Sequence, residues 1–364
     1  MATSLDHEHW MRHACMLALR GTGRVSPNPR VGAVIVRDGN IVAEGWHHVY
    51  GGPHAEAHAL ASFDGITDDT IMYVTLEPCS HVGKQPACTG AIRASGIRTV
   101  VVGMPDPNPA VSGGGTQLLR SHGIDVITDV CRSECEWINR FFTTWVTQQR
   151  AYVIAKIATT LDGHAIAATH DGRWITSAQS RERVHALRAE VDCVLTGIGT
   201  VRSDDPMLTV RAVPGRNPAR AIVDTHCMLP SSSAIARSAS EIPTYVFCSS
   251  DSSTTDRANA LRALGCIVEA TPMHDNRIDL HQVMRQLASY QMTSIMLEAG
   301  PTLTSSFLRD DLIDEFEIHT GTGPGNGSIT WSESCIQPPA DMFVLHHQLQ
   351  CDGDSHRVYT RIHV

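Results

Sequence analysis

No apolar run in the chain approaches the roughly 20 residues needed to cross a bilayer. The opening residues 1–10 carry Asp6, His7, Glu8 and His9 where a secretion signal needs a basic start and an apolar stretch. Both absences exclude a membrane partner and lead to the expectation of a cytoplasmic protein. A basic surplus is also missing: the formal net charge is −9, whereas contact along a nucleic-acid backbone needs a dense positive surface to displace counterions. A small anionic ligand remains allowed, because a few Arg and Lys can hold one phosphate. The sequence has no internal repeat, no heptad run and no Gly-x-Gly-x-x-Gly between a strand and a helix. Solenoid, coiled-coil and Rossmann readings therefore have no support.

What is present fits two globular α/β domains. A length of 364 residues exceeds the ~100–200 residues of one typical domain. Strand and helix patterns alternate in the first half: strands at 31–36, 41–45, 70–76, 99–103 and 124–128, helices at 54–62, 88–94 and 114–121. Ile138, Phe141, Phe142 and Trp145 recur at helical spacing, so one helix over 131–147 is expected to close a domain of residues 1–147. After the polar Gln148-Gln149-Arg150, a second domain of residues 151–364 has strands at 152–158, 191–196, 219–224, 244–248, 266–269, 294–298 and 315–319, a helix at 177–189, and a Ser-rich loop at 249–253.

The eleven cysteines, in a reducing compartment, read as buried thiols or metal ligands rather than a disulfide framework. His54-Ala55-Glu56 opens a helix and is followed by Pro78-Cys79 and by Cys88. One imidazole and two thiolates give the three protein ligands of a catalytic zinc site, whose fourth position is left to water. Glu56, two residues from His54, is placed to reach that water as general acid/base rather than the metal. A closed structural zinc site would need a fourth ligand, from His58 or His81. A two-His helical site from His54 and His58 would strand both cysteines.

The segments "SPNPRVGAVIV" from Ser26, "HAEAHAL" from His54, "EPCSHVGKQPAC" ending at Cys88, and "DPNP" from Asp106 resemble the deaminase half of the bifunctional riboflavin-biosynthesis deaminase/reductases. Eight residues separate the two cysteines. Cytidine and tRNA adenosine deaminases have two there, and the longer loop is similar to the riboflavin branch. The resemblance implies a cytidine-deaminase-like three-layer domain with Asn28, His47, His81, Lys84, Asp106 and Asn108 as substrate contacts. Asn28 between two prolines and the Asp106–Asn108 run are equally turn signals.

The resemblance continues through "KIATTLDG" from Lys156, "GRWITS" from Gly172, "TGIGTVRSDDPMLTVR" from Thr196, "IVDT" from Ile222 and "EAGPTL" from Glu298. It implies a dihydrofolate-reductase-like α/β domain using NADPH. The cofactor site would be lined by Ala158, Trp174, Thr200, Asp204, Thr225, Gly300, Pro301, Thr302, Leu303, Thr304, Ser305 and Ser306. Lys156, Gly172, Arg188, Leu208, Arg211 and Glu298 would face the substrate. Small residues after the strand at 294–298 suit close approach of backbone amides to a pyrophosphate. Arg188 and Arg211 are the expected phosphate pair, since a guanidinium matches phosphate geometry.

Rival readings are a buried core role for Trp174, a solvated surface role for Arg188, a turn-capping role for Asp204, and plain loops for Gly197-Ile198-Gly199 and residues 321–327. After the strand at 315–319, the family's Pro-Lys-Leu-Gly-like stretch is replaced by Thr320-Gly-Thr-Gly-Pro-Gly-Asn-Gly-Ser. The expected activity is zinc-dependent deamination of a phosphorylated pyrimidine followed by NADPH-dependent reduction of its ribosyl chain, in a homo-oligomer by the usual tendency of soluble enzymes. Alternatives are a cytidine or nucleotide deaminase with an accessory nucleotide-binding domain, and an inactive nucleotide-binding regulator.

Overall fold

The computed structural model describes residues 4–63, 65, 69–80, 86–109, 113–165, 174–326 and 329–362. The chain divides into two compact units, residues 1–150 and 151–364. No helix among the described residues is long and apolar enough to cross a membrane.

The first unit is built on a five-stranded sheet in the spatial order Asn40–Trp46, Gly32–Arg37, Ile71–Leu76, Thr99–Met104, Asp125–Ile127. The first three strands pair antiparallel, and the last two add in parallel. Runs such as Ala33-Val34-Ile35 and Val100-Val101-Val102 are buried on both faces, as expected of strands covered by helices on either side. The core draws on both layers: Met11, Ala14, Leu17 and Ala18 from the helix Ser4–Leu19 pack in it with Ala55 and Ala59 from the helix Ala55–Ala61.

Two expectations need correction here. The helix Ser4–Leu19 has no counterpart in the sequence reading, because its apolar face is interleaved with His and Arg. The single closing helix is in fact two, Arg132–Ile138 and Arg140–Gln148. The break falls at Asn139, whose φ/ψ of −103°/13° leaves the helical region and whose buried Oδ1 accepts from the Arg30 amide at 2.8 Å. That tie competes with continuation of the helix.

The second unit carries a nine-stranded sheet in the order Ile267–Ala270, Thr244–Cys248, Ala219–Val223, Cys193–Gly197, Ser294–Leu297, Tyr152–Thr159, Glu315–Thr320, Asp354–Arg361, Phe343–Cys351. The first seven run parallel, and Asp354–Arg361 pairs antiparallel with both of its neighbours, Glu315–Thr320 and Phe343–Cys351. Ser294–Leu297, late in the chain, inserts between Tyr152–Thr159 and Cys193–Gly197, so the strand order reverses there. Open parallel sheets bind ligands beyond the carboxyl ends of strands at such a reversal.

The Ser-rich stretch is not wholly a loop: Ser250–Ser253 forms one helical turn, capped where the Ser249 side chain accepts from the Ser252 amide. Gly197-Ile198-Gly199 likewise opens a helix, Ile198–Asp204. The C-terminal hairpin, Phe343–Cys351 with Asp354–Arg361, was not anticipated, since its outer strand is largely exposed and mixes His, Gln and Leu.

One close approach couples the first sheet to its chemistry. A Cβ at Gly45 would lie 2.2 Å from the Ala55 carbonyl oxygen and 2.5 Å from the Ala59 amide nitrogen. Gly45→Ala is therefore expected to push away the helix bearing Glu56, costing about 1–3 kcal/mol as overpacking does and lowering zinc content. Thermal melts together with metal analysis test this, and an unchanged melting temperature with full zinc would contradict the tight contact.

Candidate active sites

In the first unit, three chain reversals converge. His54 precedes the helix Ala55–Ala61, Cys79 follows the strand Ile71–Leu76, and Cys88 begins the helix Cys88–Ser95. His54 Nδ1 lies 3.2 Å from Cys88 Sγ and 3.6 Å from Cys79 Sγ, and all three ligand atoms fall within 4.8 Å of one another. The Cys88 amide donates to Cys79 Sγ at 3.3 Å. The hydrogen bond from Cys88, helped by His54 and this amide against the effect of burial, lowers the Cys79 thiol to about 4. The same hydrogen bond and burial push Cys88 up, and the hydrogen bond with Cys79 raises His54. Two thiols and an imidazole sharing protons at ligand spacing fit a zinc ion with one open position.

His58 does not join the cluster. Its Nδ1 lies 3.2 Å from His48 Nε2 and 3.3 Å from the Trp46 amide, so neither the closed four-ligand site through His58 nor the two-His site forms. Glu56 is buried at 3% exposure, and burial raises its carboxyl above the ordinary range. Such a shift favours the protonated carboxyl.

Asn28 and His47 meet directly: Asn28 Nδ2 is 3.1 Å from His47 Nε2, while His47 Nδ1 is 2.9 Å from the Pro53 carbonyl oxygen. With Pro53 as acceptor, His47 carries its proton on Nδ1, and burial lowers its pKa. The ring stands edge-on to His54 at 5.8 Å. The Asp106 and Asn108 turn is held partly by a residue the sequence reading missed. Glu77, 4% exposed, accepts the amides of Asp106, Gly113 and Thr116 at 3.2, 2.9 and 2.8 Å, and the Asn108 amide reaches Asp106 Oδ1 at 2.9 Å. Its position beside Pro78-Cys79 was the available signal. His81 and Lys84 lie outside the described residues.

In the second unit a cavity of about 2660 Å³ opens at the carboxyl ends of the parallel strands. Lys156, Ala158, Thr225 and Glu298 reach it from strand ends, and Thr200 and Asp204 from the helix Ile198–Asp204. Gly300, Pro301, Thr302, Leu303 and Ser306 line it from the start of the helix Pro301–Arg309. Thr304 instead turns its buried hydroxyl to the Ala299 carbonyl, and Ser305 faces Ser332 and Cys335. Trp174 lines the cavity at 48% exposure with the Arg181 guanidinium 4.5 Å over its ring, which removes the core-packing alternative. Asp204 ends its helix, and it is the neighbouring Asp205 that accepts from the Ala234 amide. Gly172 lies outside the described residues.

Arg188 is not a surface charge. Its side chain is 11% exposed and grips Glu298 with both arms, Nε–Oε1 at 2.5 Å and Nη2–Oε2 at 2.8 Å. Lys156 Nζ stands 3.4 Å from Glu298 Oε2. Burial alone would raise the Glu298 carboxyl, but Arg188 and then Lys156 outweigh it and hold it at about 2. Arg188 also lines the cavity itself, its Nη1 donating to the Thr209 carbonyl oxygen at 3.0 Å. Arg211, more exposed, makes a lighter contact through Nη1 to Thr209 Oγ1 at 2.7 Å and keeps donors toward the cavity. Between them Leu208 is buried with φ of 52°, a left-handed conformation that costs a non-glycine residue roughly 1–2 kcal/mol. Strain of this kind gathers at ligand clamps.

The family model for the RibD C-terminal domain matches residues 151–322, and that for the cytidine and deoxycytidylate deaminase zinc-binding region matches residues 4–104. The riboflavin biosynthesis protein RibD of Aquifex aeolicus is 39% identical over 312 residues, 85% of this chain and 85% of that protein. This chain belongs to the RibD family. RibD of Escherichia coli strain K12 is 38% identical over 328 residues, 86% of this chain and 87% of that protein. A crystal structure from Thermotoga maritima, described as a diaminohydroxyphosphoribosylaminopyrimidine deaminase/5-amino-6-(5-phosphoribosylamino)uracil reductase, is 34% identical. It superposes with a TM-score of 0.86, covering 99% of both chains. RibD of Acinetobacter baumannii gives 0.84 at 32% identity, covering 99% of this chain and 100% of that one.

The chain is thus a bifunctional deaminase/reductase of riboflavin biosynthesis, with a cytidine-deaminase-like zinc domain and a dihydrofolate-reductase-like domain that uses NADPH. Matches to both domains in one chain set aside the single-activity and inactive alternatives. For the zinc cluster, Cys88→Ser is expected to lose the metal held by His54, Cys79 and Cys88, because a hydroxyl does not replace a thiolate on zinc. Metal analysis of purified protein measures this, and zinc content equal to wild type would refute the ligand set.

Proposed function

We propose that the first unit deaminates 2,5-diamino-6-(5-phosphoribosylamino)pyrimidin-4(3H)-one and that the second reduces the ribosyl chain of the deaminated product to ribityl. The observation that carries the first half is the three-ligand cluster His54–Cys79–Cys88 beside the buried carboxyl of Glu56. Zinc, when bound there, supplies a water acidic enough to attack at neutral pH. Glu56 takes the proton from the attacking water and passes it to the departing amine, a transfer that its raised pKa favours. Asn28 and His47, locked to each other, offer a fixed polar edge to the pyrimidine. Asp106 and Asn108 complete the pocket on the turn held by Glu77, and His81 with Lys84 would meet the substrate from the loop between the cysteines.

In the second unit NADPH supplies the hydride. Ala158, Trp174, Thr200, Asp204 and Thr225, with Gly300, Pro301, Thr302, Leu303 and Ser306 at a helix start, would hold the cofactor. The N-terminus of the helix Pro301–Arg309 would offer its amides to the pyrophosphate. Glu298, fixed as a carboxylate by Arg188, orients Lys156 Nζ toward the ribosyl group. Arg211 has donors for the phosphate, and Gly172 and Leu208 border the substrate. A cytoplasmic location and a homo-oligomeric state complete the reading.

Glu56→Gln is expected to keep its zinc and lose about 10²- to 10⁴-fold in deamination rate, since the amide preserves shape but cannot accept the water's proton and pass it on. Ammonia release near the wild-type rate would remove Glu56 from the mechanism. Because domains with their own cores act as units, Cys79→Ser should abolish deamination yet still oxidise NADPH when given the deaminated ribosyl compound. Lys156→Ala should accumulate that compound. Mixing the two variants should restore the full sequence at reduced rate, followed by mass analysis of products. Failure of folded Cys79→Ser to reduce the supplied intermediate would show that the sites are not independent.

A further inference from the structure

A second ligand-bearing cluster lies in the reductase unit, apart from the residues assigned above. Glu317 and His319 alternate onto the same face of the strand Glu315–Thr320, and His356 on the neighbouring antiparallel strand is the direct cross-strand partner of His319. The two imidazoles lie face to face with ring centres 4.2 Å apart and planes 10° from parallel. Both turn Nε2 toward one oxygen, Glu317 Oε2, which is 2.6 Å from His356 and 3.7 Å from His319. One ligand atom from each residue falls within 4.8 Å of the others. The cluster is sealed: side-chain exposure is 2% for His319, 4% for His356 and 15% for Glu317.

We propose that Glu317, His319 and His356 form a second metal site, selective for a divalent first-row transition metal and filled by zinc in the first instance. Two imidazoles and a carboxylate are a zinc-type donor set with a fourth position left over, and imidazole ligation favours zinc and its neighbours over magnesium or calcium. Bonds of about 2.0–2.2 Å to N and O place ligand atoms ~3–4 Å apart around one ion. Of the two separations, 3.7 Å falls in that range and 2.6 Å is a hydrogen-bond distance below it, so an ion would spread Glu317 from His356 and turn the stacked rings until both Nε2 lone pairs meet at one point. Nδ1 of both rings has no hydrogen-bond partner among the described residues, and an ion bound through Nε2 leaves both that way; the donor set and its burial carry the site. His319 lines the reductase cavity, so an ion at this position would stitch the strands Glu315–Thr320 and Asp354–Arg361 together in the cavity wall and fix the ring that faces the ligand space.

The test counts metal in the full-length protein. Chelator-stripped protein is reloaded with Zn²⁺, desalted and assayed for zinc per chain. Two equivalents are expected in wild type and one in Cys88→Ser. Adding His356→Ala, or the shape-preserving Glu317→Gln, to Cys88→Ser should leave none, with circular dichroism confirming a folded chain in each case. Cobalt provides a second readout: Co²⁺ in Cys88→Ser should show ligand-field bands without thiolate-to-metal charge transfer. One equivalent in wild type and none in folded Cys88→Ser would overturn the proposal and leave the trio a hydrogen-bonded carboxylate–imidazole cluster. Retention of zinc in the double variants would overturn it as well. If Cys88→Ser alone kept both equivalents and His356→Ala lost one, the second site would stand and the first ligand set would fall.

Discussion

Parallel strands deliver their carboxyl ends to one rim of a sheet, and every strand must be followed there by a chain reversal. Both units of this protein place their chemistry on that rim. In the first, Cys79 follows the strand Ile71–Leu76 and the Asp106–Asn108 turn follows Thr99–Met104, its parallel neighbour. In the second, Lys156, Thr225 and Glu298 reach one cavity from three strands widely separated in sequence. Helices starting from the same rim add their amino-terminal ends, which suit thiolate and phosphate. The sheet direction thus gathers residues that no local interaction would bring together.

Within that frame, surroundings decide what a buried carboxylate is. Glu56, with little to offset its burial, favours its protonated form. Glu298 is equally enclosed, but Arg188 and Lys156 hold it ionised. Glu77 takes a third course: its oxygens accept from three backbone amides, which sets the shape of a turn. One side-chain type supplies a carboxyl that favours its proton, a counter-ion and a fastening, according to whether burial, cations or amides dominate its environment.

Much was legible because it is local. His54-x-Glu56 with Cys79 and Cys88 is a short-range code, and strands such as Thr244–Cys248 stand out as apolar runs between turn signals. Where the reading failed, a distant contact had intervened. Asn139 breaks the expected closing helix because its side chain is claimed by Arg30, more than a hundred residues earlier. The helix Ser4–Leu19 and the strand Phe343–Cys351 were missed because their faces mix His, Arg or Gln into the apolar pattern. The rival reading of Arg188 as a surface charge fails through a distant contact, as at Asn139: Glu298, more than a hundred residues later, holds it in the cavity wall.

The sequence by itself determined the ligand types, their spacing, the two-domain division of labour and the alternation that makes both domains α/β, since each is written in residue identity and short-range period. Tertiary structure alone decided that Asn28 meets His47, that Glu77 gathers three amides, that Arg188 serves Glu298, and that Glu317, His319 and His356 share one buried point. Each of these pairs residues on different elements. Their distance is set by strand order and register, which a linear pattern does not contain.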